Sequence, residues 1–98
     1  MIVRIVRMHF RPEEVEAFKS LFEERKEVIR GMPGCTHLEL WQDAGNAAIF
    51  FTYSKWEREE DLAAYRFSAF FRETWGLTKA LFSAKAEAWS VNQLVILP

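Results

Sequence analysis

The groups in this chain that could do chemistry are few: His9, His37, Cys35, Arg25, Tyr53, Tyr65 and the aromatic rings around them. Cys35, His37 and Glu39 are spaced by two, which on a strand places them on one face as a Cys-His-Glu set. Alternate side chains of a flat strand stand roughly 6.5–7 Å apart. That is awkward for three ligands each held about 2.0–2.3 Å from one ion, so no metal site is expected. His9 shares its face with Arg7, and neither histidine has a local partner of the kind nucleophilic catalysis uses. His9, His37 and Tyr53 are therefore the weaker candidates for a pocket. Arg25 is more informative. At helical spacing it falls inside an apolar arc of Phe18, Leu21, Phe22, Ile29 and Met32. A guanidinium there either reaches solvent or meets an acceptor, because a buried unpaired charge is costly. As an anchor it would hold an enolate, phenolate or carboxylate.

The stretch YRFSAFFRETW, residues 65–75, carries five aromatic rings. At 100° per residue Phe67, Phe70, Phe71 and Trp75 share one side of a helix, continued by Leu77, Leu81 and Phe82, with Thr74 near its middle. The arc spans about 160°, wider than the roughly 100° a core-facing stripe requires. Two surfaces are expected to share it. Phe67, Phe71 and Phe82 are assigned to the core, and Phe70 and Trp75 to a cavity that Arg25 approaches and Tyr65 borders. The candidate substrate pocket is thus Arg25, Tyr65, Phe70 and Trp75. Trp56 is placed in the core, and Tyr53 or Tyr65 could donate a hydrogen bond to a ligand oxygen.

The elements that position these groups follow from patterning. IVRIVRMHF (2–10) reads as a strand ended by Arg11-Pro12, and Pro12-Glu13-Glu14 as a helix entry. An amphipathic helix runs to about Gly31. CTHLELWQD (35–43) and AIFFTYSKW (48–56) read as strands joined through the turn signal AGN. An acidic start at Glu57–Asp61 opens a second helix reaching Phe82, and residues 86–97 read as a last strand with an apolar tail. The order β-α-β-β-α-β is that of an α+β, ferredoxin-like protomer: an antiparallel sheet with both helices on one face.

Ninety-eight residues, half of them hydrophobic and 15% aromatic, imply one domain, 1–98, with more apolar surface than its own interior absorbs. A homodimer through the bare sheet face is expected, with the tail LVIL (94–97) packed on the partner. A net charge of -1 gives no electrostatic case for nucleic acid or an anionic membrane. No apolar run approaches a membrane span, and the lone Cys35 fits a reducing compartment, so a cytoplasmic protein is expected.

The segments PEEVEAFKSLFEERKEVIRGMPGCTHLEL and FFTYSKWEREEDLAAYRFSAFFRETW resemble the antibiotic biosynthesis monooxygenase (ABM) family of dimeric α/β-barrel proteins. The most specific pieces are Pro33-Gly34-Cys35, Trp56 and the EEDLAAY entry. The resemblance implies a barrel dimer with a ligand pocket between sheet and helices. It implies either a cofactor-independent monooxygenase acting on a small aromatic, quinol- or anthrone-like compound, or a non-catalytic dimeric module that binds a small apolar or aromatic ligand or serves a stress response. The family's helix-two histidine is Phe70 here. The haem-degrading branch's Trp and His positions hold Tyr65 and Trp75, and strand one has no Asn. No cofactor is therefore implied.

Overall fold

The computed structural model describes residues 1–98. Strand β1 (Ile2–Phe10) leads through a short 3-10 turn (Pro12–Glu14) into helix α1 (Val15–Arg30). Strands β2 (Cys35–Gln42) and β3 (Ile49–Trp56) follow, then helices α2 (Glu59–Phe67) and α3 (Ala69–Lys79), and finally β4 (Phe82–Asn92). The sheet order is β2-β3-β1-β4 and every pairing is antiparallel. This is the α+β, ferredoxin-like arrangement expected from the sequence, with the helices against one face.

Strand alternation sorts the side chains. Ile2, Arg4, Val6, Met8 and Phe10 of β1 lie opposite Trp56, Ser54, Thr52 and Phe50 of β3 on the helix-facing side. Met8, Phe10, Phe18 and Phe50 form one buried cluster; Cys35, Trp56 and Leu62 form a second. Phe10 stacks on Phe18 at 4.1 Å between ring centroids, and Trp56 is 1% exposed with its indole N–H donated to Ser54 Oγ at 3.0 Å. Trp56 thus lies in the core, as the sequence suggests.

The chain leaves α1 through Gly34, whose φ of 84° belongs to the left-handed region open to glycine. A Cβ there would stand 2.3 Å from the Asp61 carboxyl group, so the glycine also allows α2 to approach β2.

Three local departures from the sequence reading change what faces what. The second helix is broken at Ser68, which is extended (ψ 152°) and whose Oγ accepts the Phe71 N–H at 3.1 Å as the cap of α3. Helical phase is lost across that break. Phe67, assigned to the core, is 80% exposed, whereas Phe71 turns inward. Phe82, assigned to the same helix, instead opens β4 opposite Phe10, four residues earlier than that strand was expected. Lastly, the β2 register shifts between Cys35 and His37. Cys35 faces the helices beside Trp56, while His37 pairs with Lys55 on the other face, so Cys35, His37 and Glu39 do not share a side. No helix is long and apolar enough to cross a membrane.

Candidate functional site

Between the two buried clusters the helices stand off the sheet and leave a cavity of about 390 Å³. Its floor is Arg4, Val6 and Met8 of β1, Leu38 of β2, Thr52 and Ser54 of β3, and Ala86 and Ala88 of β4. The small alanines on β4 are what make room. Phe18, Phe22 and Ile29 of α1 close one wall; Leu62, Tyr65 and Arg66 of α2 and Phe71, Thr74, Trp75 and Thr78 of α3 close the other. Apolar walls with a few polar groups are the usual make-up of a small-molecule pocket.

Of the sequence candidates, Tyr65 and Trp75 line this cavity. Tyr65 stacks on Trp56 (5.2 Å, 21°) and meets the edge of Phe71 at 5.0 Å; Phe71 in turn stacks on Trp75 at 5.9 Å. These contacts fix the phenol ring. Burial first, and the neighbouring Cys35 second, push the Tyr65 hydroxyl up to about 12. It is therefore a proton donor and not a base at any ordinary pH. Burial also raises the Cys35 thiol, whose Sγ donates to the His37 carbonyl at 3.6 Å. A neutral, buried thiol is a poor nucleophile.

Arg25 and Phe70 sit elsewhere. The Arg25 side chain is only 15% exposed, but its charge is spent between helices: it donates to Thr74 Oγ1 at 2.9 Å and pairs with Glu73 at 3.3 Å and Glu24 at 3.5 Å. Its guanidinium lies 5.7 Å from the Phe70 ring centroid. The pair braces α1 against α3 behind Thr74, outside the cavity lining. His9, His37 and Tyr53 are on the helix-free face. There Tyr53 stacks on Trp41 at 4.9 Å, and His37 packs edge-on against Tyr53 while hydrogen-bonding Glu39.

The two charged residues of the cavity, Arg4 and Arg66, escaped the sequence reading. Arg4 Nη1 donates to Ser90 Oγ at 3.0 Å, and burial, then the charge of Arg66, lower its pKa. Neither arginine takes part in an ion pair. The signal lay in the alternation of β1, where Arg4 is the one charged residue in the inward set Ile2, Arg4, Val6, Met8, Phe10.

The raised pKa values have a consequence for stability. A tyrosine whose folded pKa exceeds its unfolded value of about 10 keeps its proton longer when folded, so the protein loses stability as pH rises from 10 towards 12. Complete titration over that window is expected to cost about 2–3 kcal/mol. Urea unfolding between pH 9 and 12 checks this: Tyr65→Phe should flatten the decline, leaving the alkaline loss that the raised Cys35 thiol contributes in the same direction.

The ABM family profile matches residues 1–75. No curated protein matches the chain. Among solved structures, one described as an antibiotic biosynthesis monooxygenase superposes with a TM-score of 0.90 at 19% identity, over 97% of this chain and 100% of that one. A conserved protein from Methanosarcina mazei Go1 gives 0.89 at 22% identity, over 96% and 94%. A mutant of SnoaB, a cofactor-independent oxygenase from Streptomyces nogalater, gives 0.88 at 14% identity, over 99% and 96%. At these identities the structural likeness speaks to fold; the profile match speaks to descent, and by it the chain belongs to the antibiotic biosynthesis monooxygenase family.

Proposed function

We propose that the protein is a cofactor-independent monooxygenase that oxidises a small aromatic compound of the quinol or anthrone type. The observation that carries the reading is a cavity whose walls are apolar and aromatic and whose charged groups are both cationic. Family membership and the fold shared with SnoaB support it. For an anthrone the balance closes without an external reductant. The ring CH2 loses a proton, the resulting enolate gives one electron to O2, and the radical pair joins in a new C–O bond. The peroxide takes up a proton, the second C–H proton leaves and the O–O bond breaks, so the former CH2 carbon becomes a ring carbonyl and hydroxide departs, protonated to water. One oxygen atom enters the product and the other leaves as water.

Within that sequence Tyr65 donates its hydroxyl to the substrate oxygen on which negative charge develops, and the arginines favour the anionic form. No carboxylate or imidazole lines the cavity, so the first proton goes to solvent. The rate should then follow the ionisation of the substrate. Oxygen uptake across quinols, anthrones and flavonoids of graded acidity tests this. Turnover should rise through each compound's own pKa; no uptake above the uncatalysed rate with any of them would overturn it. The missing proton acceptor is also what favours the second reading, a non-catalytic dimeric module that binds a small aromatic ligand or serves in a stress response. That reading predicts tight binding without oxygen uptake.

The working form proposed is a cytoplasmic homodimer joined through the helix-free sheet face. Only 11 of 98 residues are buried, and Trp41, Trp89 and Val91 on that face are exposed. Arg7 Nε on the same face is buried with no hydrogen-bond partner, although the guanidinium pairs with Glu87 and lies 5.8 Å from the Trp89 ring centroid. Residues Leu94–Leu97 are exposed apolar chain beyond β4, suited to packing on the second subunit. Sedimentation at micromolar concentration should give a dimer, and deleting residues 94–98 should weaken it. A soluble monomer of the full chain would contradict the assembly.

A further inference from the structure

We propose that Arg4, Arg66 and Ser54 form an anion-binding end of the cavity, and that the ligand is an aromatic acid whose carboxylate docks there. The proposal rests on the cavity being the ligand site and adds the substrate class: the planar ring lies among Phe71, Trp75 and Tyr65, and a carboxylate apart from the reacting carbon sets its orientation.

Arg4 and Ser54 both hold unspent donors. Arg4 uses Nη1 on Ser90 Oγ, and no other group of the chain hydrogen-bonds its guanidinium. The edge formed by Nε and Nη2 is left, and it presents two parallel N–H donors, the fork that matches both oxygens of a carboxylate. Ser54 stands opposite Arg4 in the β1–β3 ladder and is 8% exposed. Its Oγ already accepts the Trp56 indole N–H, which leaves its own O–H to donate. Arg66 lines the same cavity from α2 and is exposed, which puts its charge at the mouth.

Charge balance points the same way. Two guanidiniums border one cavity with no carboxylate of the chain to offset them. Burial, and after it the charge of Arg66, lower the Arg4 pKa, and a bound anion would relieve the repulsion. A purely structural arginine on an inward strand face would be expected to have found a carboxylate partner, as Arg25 did with Glu73.

The test is calorimetric titration of the full-length protein with naphthalene-2-carboxylate and with its neutral counterpart, naphthalene-2-carboxamide. The wild type should bind the acid about 10–100-fold more tightly than the amide, the range of a charge-assisted pair. Arg4→Met, which keeps much of the stem, should bring that ratio close to one. Arg66→Gln, at an exposed position that folding tolerates, should lower it several-fold and weaken its dependence on salt. Equal binding of acid and amide by the wild type, or a preference that survives both substitutions, overturns the proposal and leaves the oxygenase reading standing. Binding of neither probe overturns the anion site. An acid preference in the titration, with no oxygen uptake across the quinols, anthrones and flavonoids, supports the anion site and sinks the oxygenase.

Discussion

Trp56→Ala is expected to destabilise the fold by about 3–5 kcal/mol, the largest single loss foreseen for this chain. The indole is 1% exposed and is the centre of the second buried cluster with Cys35 and Leu62. It also holds the site in shape, because Tyr65 stacks on it and Ser54 accepts its N–H. Truncation would leave a void that the β3 backbone cannot close, a freed Ser54 hydroxyl and an unsupported phenol. Urea unfolding at fixed protein concentration is the measurement, since the stability of the proposed dimer would depend on concentration. Phe67→Ala is the contrast: at 80% exposure it should change stability by no more than about 0.5 kcal/mol. Comparable losses from both substitutions would contradict the placement of the core.

Tyr65→Phe is expected to lower kcat for an anthrone-like substrate about 100-fold while changing KM and stability little. The two effects separate because the phenylalanine ring keeps the stack on Trp56 and the contact with Phe71, and only the donor is lost. No group of the chain hydrogen-bonds the hydroxyl, so its removal leaves no protein partner unsatisfied. The pH profile should keep its shape, since the phenol is protonated well past neutrality. A kcat within twofold of wild type would remove Tyr65 from the reaction.

The sheet was the legible part of the sequence. Period-two alternation in β1, β2 and β3 locates the strands, and the Pro12 and Gly34 signals bound α1 as the structure has it. The second helix was misread where short-range chemistry overrides periodicity. A serine in mid-helix is ordinary, but Ser68 turns its Oγ onto the Phe71 N–H and starts a new helix, which rotates every later residue. Phe67 therefore left the face assigned to it, whereas Phe82, presented by β4 and not by a helix, still packs on the Phe10 cluster. The bulge after Cys35 is likewise invisible to an alternation count, because one shifted residue still reads as a strand.

The site was half legible for a related reason. Tyr65 and Trp75 were found because aromatic density draws attention to them, and both line the cavity. Arg25 was conspicuous as a charge within an apolar arc, but its neighbours on α3 absorb it, and Glu73 and Thr74 are remote in sequence. Arg4 carried the same signal on a strand. An inward charge on a two-sided strand looks like any outward one until the register with β3 and β4 is known.

The central claim, oxygen insertion into an acidic aromatic without an added cofactor, is met most directly by labelled dioxygen. An anthrone carrying a carboxylate should be incubated under 18O2 with the protein, in the presence of a chelator. The account predicts accelerated conversion, consuming one O2 per product, with one labelled atom in the new carbonyl and the other in water. Conversion no faster than the uncatalysed autoxidation, with the compound nonetheless bound in the cavity, would contradict it.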